Sequence, residues 1–186
     1  MAHPTISDEE FLSKALELFR TYGYEGVSLS QLAAATGLEK ASLYYRYPGG
    51  KQEIMMAVMS LVLRGFEQNV FAPLKGEGTP RKRLGIVMEH LREFYCDGAK
   101  PCVMDVLGIA GGTEQLADAL RSIMKAWLKA FAEIAREGGL SMSVARNRAE
   151  EAILRLEGAL VLERVLGDTA PFQRTIKALP ALLLEE

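Results

Sequence analysis

Polar, aromatic and basic side chains that suit contact with a nucleic acid are concentrated in a short stretch near the N-terminus. They are Lys40, Ser42, Tyr44, Tyr45, Arg46 and Lys51. Lysine and arginine donate hydrogen bonds to phosphate oxygens or guanine edges, and tyrosine offers a flat ring to sugars and thymine methyl groups with a hydroxyl for phosphate. Serine is short enough to let the backbone approach the bases. The alternative is that these are ordinary surface residues of a small helical bundle.

Two short helices joined by a tight turn are predicted to carry these side chains. Ser28 followed three residues later by Gln31 is a capping box, which predicts a second helix from about residue 29 to residue 36. Gly37 makes the turn, because glycine readily adopts the left-handed conformation that ends many helices. A third helix is expected over about residues 40–47, since the proline that follows disfavours its continuation.

One face of the third helix must pack on its neighbours. Leu43 and Tyr47 are four residues apart and share that face. The basic, serine and tyrosine side chains of this helix are therefore expected to point outward. Backbone N–H groups at the start of the fourth helix, beside Lys51, add a place where phosphate can bind. A short helix with such an outward face fits a DNA major groove.

The remainder of the chain also predicts helices. Apolar residues recur at helical spacing throughout, and there is almost no period-two alternation. We therefore expect an all-α protein of about nine helices. The first is expected from about Asp8 to Tyr22, where Gly23 ends it, and the fourth from about Lys51 to just before Pro73. The later helices are expected over about residues 80–95, 103–110, 114–137 and 144–166, with a final helix that Pro180 should kink or shorten.

The segment FLSKALELFRTYGYEGVSLSQLAAATGLEKASLYYRYPGGKQEI resembles the DNA-binding domain of TetR-family transcriptional regulators. The resemblance implies a homodimer whose two helix-turn-helix units read a palindromic double-stranded DNA operator, usually as a repressor. By matching positions, it also implies a set of operator-facing residues with two supporting residues in the second helix. The operator-facing residues are Lys40, Ala41, Ser42, Tyr44, Tyr45, Arg46 and Lys51, and the supporting residues are Ser28 and Gln31.

The same resemblance implies two domains. Residues 1–49 would form the helix-turn-helix DNA-binding domain, and residues 50–186 a larger helical body for regulation and dimerisation. Glu39 departs from the family pattern, because it stands where a serine commonly caps the recognition helix and glutamate caps poorly. Arg46 replaces a frequent histidine and restores a permanent positive charge. The PGGK turn is one residue longer than the common form and is similar to a subset that includes the lincomycin-resistance repressor.

A set of methionine, aromatic and leucine side chains in the larger body is the candidate lining of a ligand cavity. Methionine and aromatic side chains adapt to flat or apolar ligands, and the alternative is that these residues are simply core. An inducer would release DNA by preferring a dimer shape whose recognition helices no longer match successive major grooves, with the long fourth helix as the lever. The candidate residues are Met88, Tyr95, Met104, Leu107, Met124, Trp127 and Phe131.

The last two helices are the candidate dimer interface, because in the family they usually form a four-helix bundle with their copies. The residues expected there are Leu156, Leu160, Phe172 and Leu179.

Composition and motifs narrow the class of protein. The chain has 186 residues, of which 49% are hydrophobic and 25% charged, as in a folded globular protein. Its net charge of −2 argues against a non-specific nucleic-acid coat, so attraction to DNA must come from a local patch. No apolar run reaches the length of a membrane span and no secretory signal is present, so we expect a cytoplasmic protein. We expect no enzyme, cofactor or metal site, since no Walker loop, dinucleotide fingerprint or HExxH motif occurs.

Two alternatives stay open at this point. A helical small-molecule-binding protein that has lost DNA recognition would explain Glu39 and the acidic balance of the N-terminal part. A thiol-redox-responsive regulator would use Cys96 and Cys102, although their spacing matches no zinc pattern and incidental thiols are the favoured interpretation.

Overall fold

The computed structural model describes residues 6–109 and 114–185, and over these ranges the chain forms nine α-helices and no strand. The all-α fold expected from the sequence is confirmed. The helices are α1 (Asp8–Gly26), α2 (Leu29–Thr36), α3 (Lys40–Arg46), α4 (Gly50–Lys75), α5 (Pro80–Phe94), α6 (Val103–Ile109), α7 (Glu114–Glu137), α8 (Met142–Leu166) and α9 (Ala170–Leu184).

The ends of α1, α4 and α9 differ from the sequence expectation, and α4 runs past Pro73 to Lys75 instead of ending before it. In α1 the backbone leaves helical geometry at Gly23 (φ 68°, ψ 175°), as expected, but the chain then adds a further turn up to Gly26. In α9 the helix continues through Pro180 to Leu184. The predicted end of the sixth helix at Ala110 lies outside the described residues.

The fourth helix contains a π turn at Glu67–Phe71 and then one α-helical turn that includes Pro73. Proline is tolerated in the first turn of a helix, where its missing N–H has no intrahelical partner. Among the described helices, α4 alone is long and apolar enough to cross a membrane, with a mean hydropathy of 1.2. Core helices of soluble proteins share those properties, and Ile54, Val58 and Val62 of α4 are buried.

The chain divides into two compact units. The first consists of Met1–Arg64 with Val103–Leu120, and the second of Gly65–Cys102 with Arg121–Glu186. Residues of α6 therefore group with the N-terminal helices. The functional boundary expected between residues 49 and 50 stays a prediction.

In the first unit, α1 packs against both α2 and α6, and α2 packs against α3. Its core contains the fully buried rings of Phe11 and Phe19 together with Leu32, Leu43 and Leu107. This packing holds α2 and α3 in a fixed relation, because each contributes a leucine to the same interior.

In the second unit, α8 packs along α9, and α9 also contacts α5. The buried side chain of Arg83 in α5 links the end of α4 to the end of α7. Its guanidinium donates to the Leu74 carbonyl at 2.6 Å and pairs with the Glu137 carboxylate. Because a buried arginine needs such partners, this pair ties the end of α4 to the end of α7.

Candidate nucleic-acid interface

The turn between α2 and α3 has the local chemistry that the sequence predicted. The N–H of Gln31 donates to Ser28 Oγ at 3.2 Å, and the N–H of Ser28 donates back to Gln31 Oε1 at 2.8 Å, so the capping box is complete. Gly37 ends α2 in the left-handed conformation (φ 72°). The N–H of Leu38 then donates to the Ala33 carbonyl at 3.1 Å. These bonds set the angle at which α3 leaves α2.

The two faces of α3 differ sharply. Leu43 is 1% exposed, and the ring of Tyr47 stacks on Phe11 with 5.2 Å between ring centroids, which confirms the packed face. On the other side, Tyr44 is 53% and Tyr45 89% exposed. Lys40 and Ala41 are also exposed, and Ser42 is half-buried. An exposed face with two tyrosines and a lysine has the composition that a DNA groove requires.

Arg46 and Lys51 are held by neighbouring groups within this unit. Arg46 donates to the Ile6 carbonyl at 3.1 Å, and its Nη1 lies 3.5 Å from the Asp8 carboxylate. These partners lie about forty residues before Arg46 in the chain, so no local sequence pattern predicts them. As a result the guanidinium faces the start of α1, and a role in phosphate binding would require it to leave those partners.

Lys51 is held in a comparable way. Its ammonium donates to the Tyr24 carbonyl at 2.9 Å, lies 3.7 Å from the Glu25 carboxylate and stands 4.4 Å from the centre of the Tyr24 ring. Its side chain keeps 24% exposure.

Two carboxylates lie at the starts of helices where phosphate is expected. Glu39 precedes α3, and among the described residues its side chain makes no capping hydrogen bond, in agreement with the expectation that glutamate caps poorly. Glu53 accepts from the N–H of Gly49 at 2.7 Å, just before α4. Glu53 was not among the residues expected at this surface, although a glutamate in the first turn of a helix is a signal for such a bond.

The tyrosines beneath this surface have perturbed acidities. Partial burial raises the pKa of Tyr47, and the nearby Asp8 carboxylate raises it further. Burial, with a smaller effect of Glu25, also raises the pKa of Tyr24. Both hydroxyls therefore stay protonated, as hydrogen-bond donors, to a higher pH than an ordinary tyrosine.

The candidate ligand residues divide between the two units. Met104 and Leu107 are buried in the first unit, whereas the other five belong to the second. In the second unit Tyr95, Trp127 and Phe131 are fully buried and Met88 is 5% exposed, while Met124 is half-buried. These side chains form packed core, and the ligand site as such stays a prediction.

The four residues named for the dimer interface are buried within one chain. Leu156, Leu160, Phe172 and Leu179 are 0–3% exposed, in two helices that pack against each other within the chain. They cannot also be the side chains that a second chain covers. The assignment of α8 and α9 to the dimer stays a prediction, but the surface available for it is a different one.

That surface is an exposed row on α8, which we name the α8 seam: Leu154, Gly158, Val161 and Val165. Leu154 is 65%, Val161 38% and Val165 72% exposed. A Cβ built on Gly158 would meet no atom within 4 Å. The spacing of four, three and four residues is the heptad pattern of helices that pack side by side. This spacing is visible in the sequence and could have identified the seam.

The metal and redox alternatives gain no new support. Within residues 6–109 and 114–185, no group of three or more histidine, cysteine or acidic side chains could hold a metal ion. Cys96 is an exposed free thiol with φ 48°, and Cys102 is a buried one that accepts from the Tyr95 hydroxyl at 3.6 Å. A redox role for these thiols stays a prediction.

Comparison with known protein families yields two matches in the chain. Residues 11–58 match the family described as bacterial regulatory proteins, tetR family. Residues 84–178 match the C-terminal domain of LmrA/YxaF-like transcriptional regulators. The first match contains α2 and α3 with the exposed tyrosines, and the second contains most of α5 to α9.

Several transcriptional regulators are similar to this chain over most of its length. The HTH-type transcriptional regulator LmrA of Bacillus subtilis (strain 168) is 26% identical over 186 residues, covering 95% of this chain and 96% of its own. The regulator RutR of Escherichia coli (strain K12) is 27% identical, covering 63% and 60%. A TetR transcriptional regulator from Legionella pneumophila has a TM-score of 0.83 at 17% identity, covering 95% of this chain and 97% of its own. That last likeness speaks for the fold alone.

Proposed function

This chain belongs to the TetR family of bacterial transcriptional regulators, and on that premise we propose that it represses transcription as a homodimer on a palindromic operator. The resemblance expected from residues 11–54 is confirmed. The observation that carries the proposal is the exposed face of α3, on which Tyr44 and Tyr45 stand beside Lys40 while Leu43 anchors the helix. Exposed aromatic rings are costly in water unless a partner covers them.

The proposed division of labour follows the chain. Residues 1–49 bind DNA, and residues 50–186 dimerise and bind a small hydrophobic inducer. Ligand responsiveness is typical of the family. The cytoplasm is the proposed location, since the two cysteines are free thiols and a reducing compartment keeps them so.

The α8 seam supports the proposed homodimer. Seams related by a twofold axis would cover the exposed Leu154 and Val165 of both chains, and Gly158 would let the two helices approach closely. With α9 packed on the other side of α8, two chains would then form a four-helix bundle.

The experiment that tests DNA recognition is selection from random double-stranded DNA, followed by affinity measurement on the enriched duplex. We expect an inverted repeat whose half-sites lie about one helical turn apart. Tyr44→Ala should weaken binding about tenfold, the loss expected for one good contact. Tyr22→Ala is the matched control, because Tyr22 is 55% exposed but lies on α1.

A second candidate function is ligand binding without DNA recognition. It is favoured by the hydrogen bonds that Arg46 and Lys51 donate to carbonyl groups of this chain. It is also favoured by Glu39, whose side chain does not cap α3. If no duplex is enriched although the chain is dimeric, this candidate replaces the proposal. If Tyr44→Ala and Tyr22→Ala have equal effects, α3 is not the recognition helix.

A further inference from the structure

Arg46 joins the end of α3 to the start of α1. It is the last residue of α3, and its Nη1 donates to the Ile6 carbonyl at 3.1 Å. The same nitrogen lies 3.5 Å from the carboxylate of Asp8, the first residue of α1. Hydrogen bonds from a charged donor are stronger than neutral ones. A backbone carbonyl cannot turn away as a side chain can, so this bond fixes where α3 ends relative to α1.

Lys51 joins the start of α4 to the end of α1. Its ammonium has three partners on two adjacent residues: the Tyr24 carbonyl at 2.9 Å, the Tyr24 ring at 4.4 Å and the Glu25 carboxylate at 3.7 Å. Each of these groups attracts a cation. A phosphate that recruited Lys51 would have to replace all three partners at once.

Backbone groups at the start of α4 are also occupied. The N–H of Gly49 donates to Glu53 Oε2 at 2.7 Å, and the N–H of Gly50 donates to the Tyr47 carbonyl at 2.8 Å. These groups lie beside Lys51, where phosphate was expected to bind. The bonds that they make hold the turn between α3 and α4 in place, as the lysine does.

Lys40 differs from the other two basic residues named at this surface. It is the exposed first residue of α3 and shares a helix face with Tyr44, four residues later. Among the residues that the structure describes, no hydrogen bond or ion pair joins it to another group. Its charge can therefore meet a phosphate without giving up a partner in the protein.

We infer that Arg46 and Lys51 are positioning residues, which hold α3 and α4 against the two ends of α1, and that of the three cations only Lys40 neutralises operator phosphate. The inference rests on the proposed function, because it requires α3 to enter an operator. It goes further in separating the charge that meets DNA from the charges that set the angle of the recognition helix. If Arg46 and Lys51 instead leave their partners for phosphate, the salt dependence of binding changes.

Salt dependence of binding to the selected duplex distinguishes the two roles. Each cation that neutralises a phosphate contributes about 0.9 to the slope of log affinity against log salt, hence about 1.8 for both chains of a dimer. Lys40→Met should lose that contribution, so its loss of affinity should be about tenfold larger at about 50 mM salt than at about 200 mM. Arg46→Met and Lys51→Met should keep the full slope. Lys129→Met is the control, because Lys129 is 76% exposed on α7, and it should change neither slope nor affinity.

A scrambled duplex of the same length separates positioning from mere stabilisation. A lost phosphate contact weakens binding to every sequence, whereas a displaced recognition helix weakens binding to the operator. Lys51→Met and Arg46→Met should weaken operator binding about tenfold and leave the scrambled duplex within about twofold. Lys51→Arg should restore operator binding, since a guanidinium can also donate to the Tyr24 carbonyl. A role in stability alone would leave both affinities of the folded variants unchanged, and circular dichroism shows that each is folded.

Acetylation of the unaltered chain gives the same distinction without any variant. Acetic anhydride reacts with a free amine, and an ammonium held by several partners reacts slowly. Mass spectrometry after limited treatment should show Lys40 acetylated readily, and protected once the operator is added. Lys51 should react slowly both with and without the operator. This measurement decides the matter for Lys51 if Lys51→Met does not fold.

The inference is overturned if Lys51→Met or Arg46→Met lowers the salt slope, or if the operator protects a reactive Lys51 from acetylation. It is also overturned if Lys40→Met behaves like Lys129→Met. If no duplex binds at all, the proposed function fails and the inference fails with it. If a duplex binds with the wrong slopes, the inference alone fails.

Discussion

Leu154→Ala offers the sharpest test of how two chains would associate. Leu154 is 65% exposed on the α8 seam, so most of its side chain is available to a second chain. Burying a leucine fully contributes about 2 kcal/mol, and the exposed part corresponds to about 1.3 kcal/mol. In a twofold-symmetric dimer the burial of Leu154 is lost in both chains, which removes about 2.5 kcal/mol of association free energy. The dissociation constant should therefore rise between tenfold and a hundredfold.

Sedimentation equilibrium over a dilution series measures that constant directly. Met142→Ala is the matched control, because Met142 is 45% exposed on the same helix but is not part of the α8 seam. Its constant should stay within about twofold of the unaltered chain. The reasoning is refuted if both variants shift equally, or if the unaltered chain is monomeric at all concentrations.

Gly158 adds a check on how closely the helices approach. Alanine should stabilise the single helix by about 1 kcal/mol, because glycine is a poor helix former and the added Cβ meets open space. The same Cβ would stand between two closely packed helices and weaken the dimer. A dimer that becomes stronger with Gly158→Ala would mean that the helices do not meet at this residue.

Three further outcomes are expected. Arg83→Met should lower the free energy of unfolding in urea by about 2 kcal/mol because it leaves the Leu74 carbonyl without the buried guanidinium that donates to it, whereas Arg81→Met, which removes an exposed pair, should cost less than about 1 kcal/mol. Gly98→Ala should cost about 2 kcal/mol or more in the same assay, since φ is 102° and the new Cβ would lie 2.7 Å from a phenylalanine side chain, while Gly85→Ala should add about 1 kcal/mol. Glu53→Gln keeps an acceptor for the Gly49 N–H but removes a charge, so binding to the selected duplex, measured by fluorescence anisotropy, should tighten a few-fold at low salt and hardly change at high salt.

Much of the N-terminal module could be predicted from local chemistry. The bounds of α2 follow from the Ser28–Gln31 capping box and from Gly37, all within ten residues of one another. The packed face of α3 follows from the four-residue spacing of Leu43 and Tyr47. Such features depend on bonds between near neighbours, so the sequence contains the information that decides them.

Features that depend on distant residues could not be predicted. Arg46 was expected to point outward and Lys51 to face the operator, and in the fold they donate to carbonyl oxygens 40 and 27 residues away. Likewise, α6 follows α5 in the chain and yet packs with α1. Nothing in the local pattern of residues indicates which remote carbonyl is within reach of a long basic side chain, because that distance exists only after the helices have packed.

The two sides of α8 show the same division. Its helical character and its apolar residues are evident from the sequence, and so is a heptad row. Leu156 and Leu160 are buried within the chain, whereas Leu154 and Val165 are exposed to solvent. Both sides are apolar, so composition alone cannot say which one is covered first. The tertiary structure decides which side of α8 is buried, because only one side is within reach of the rest of the chain.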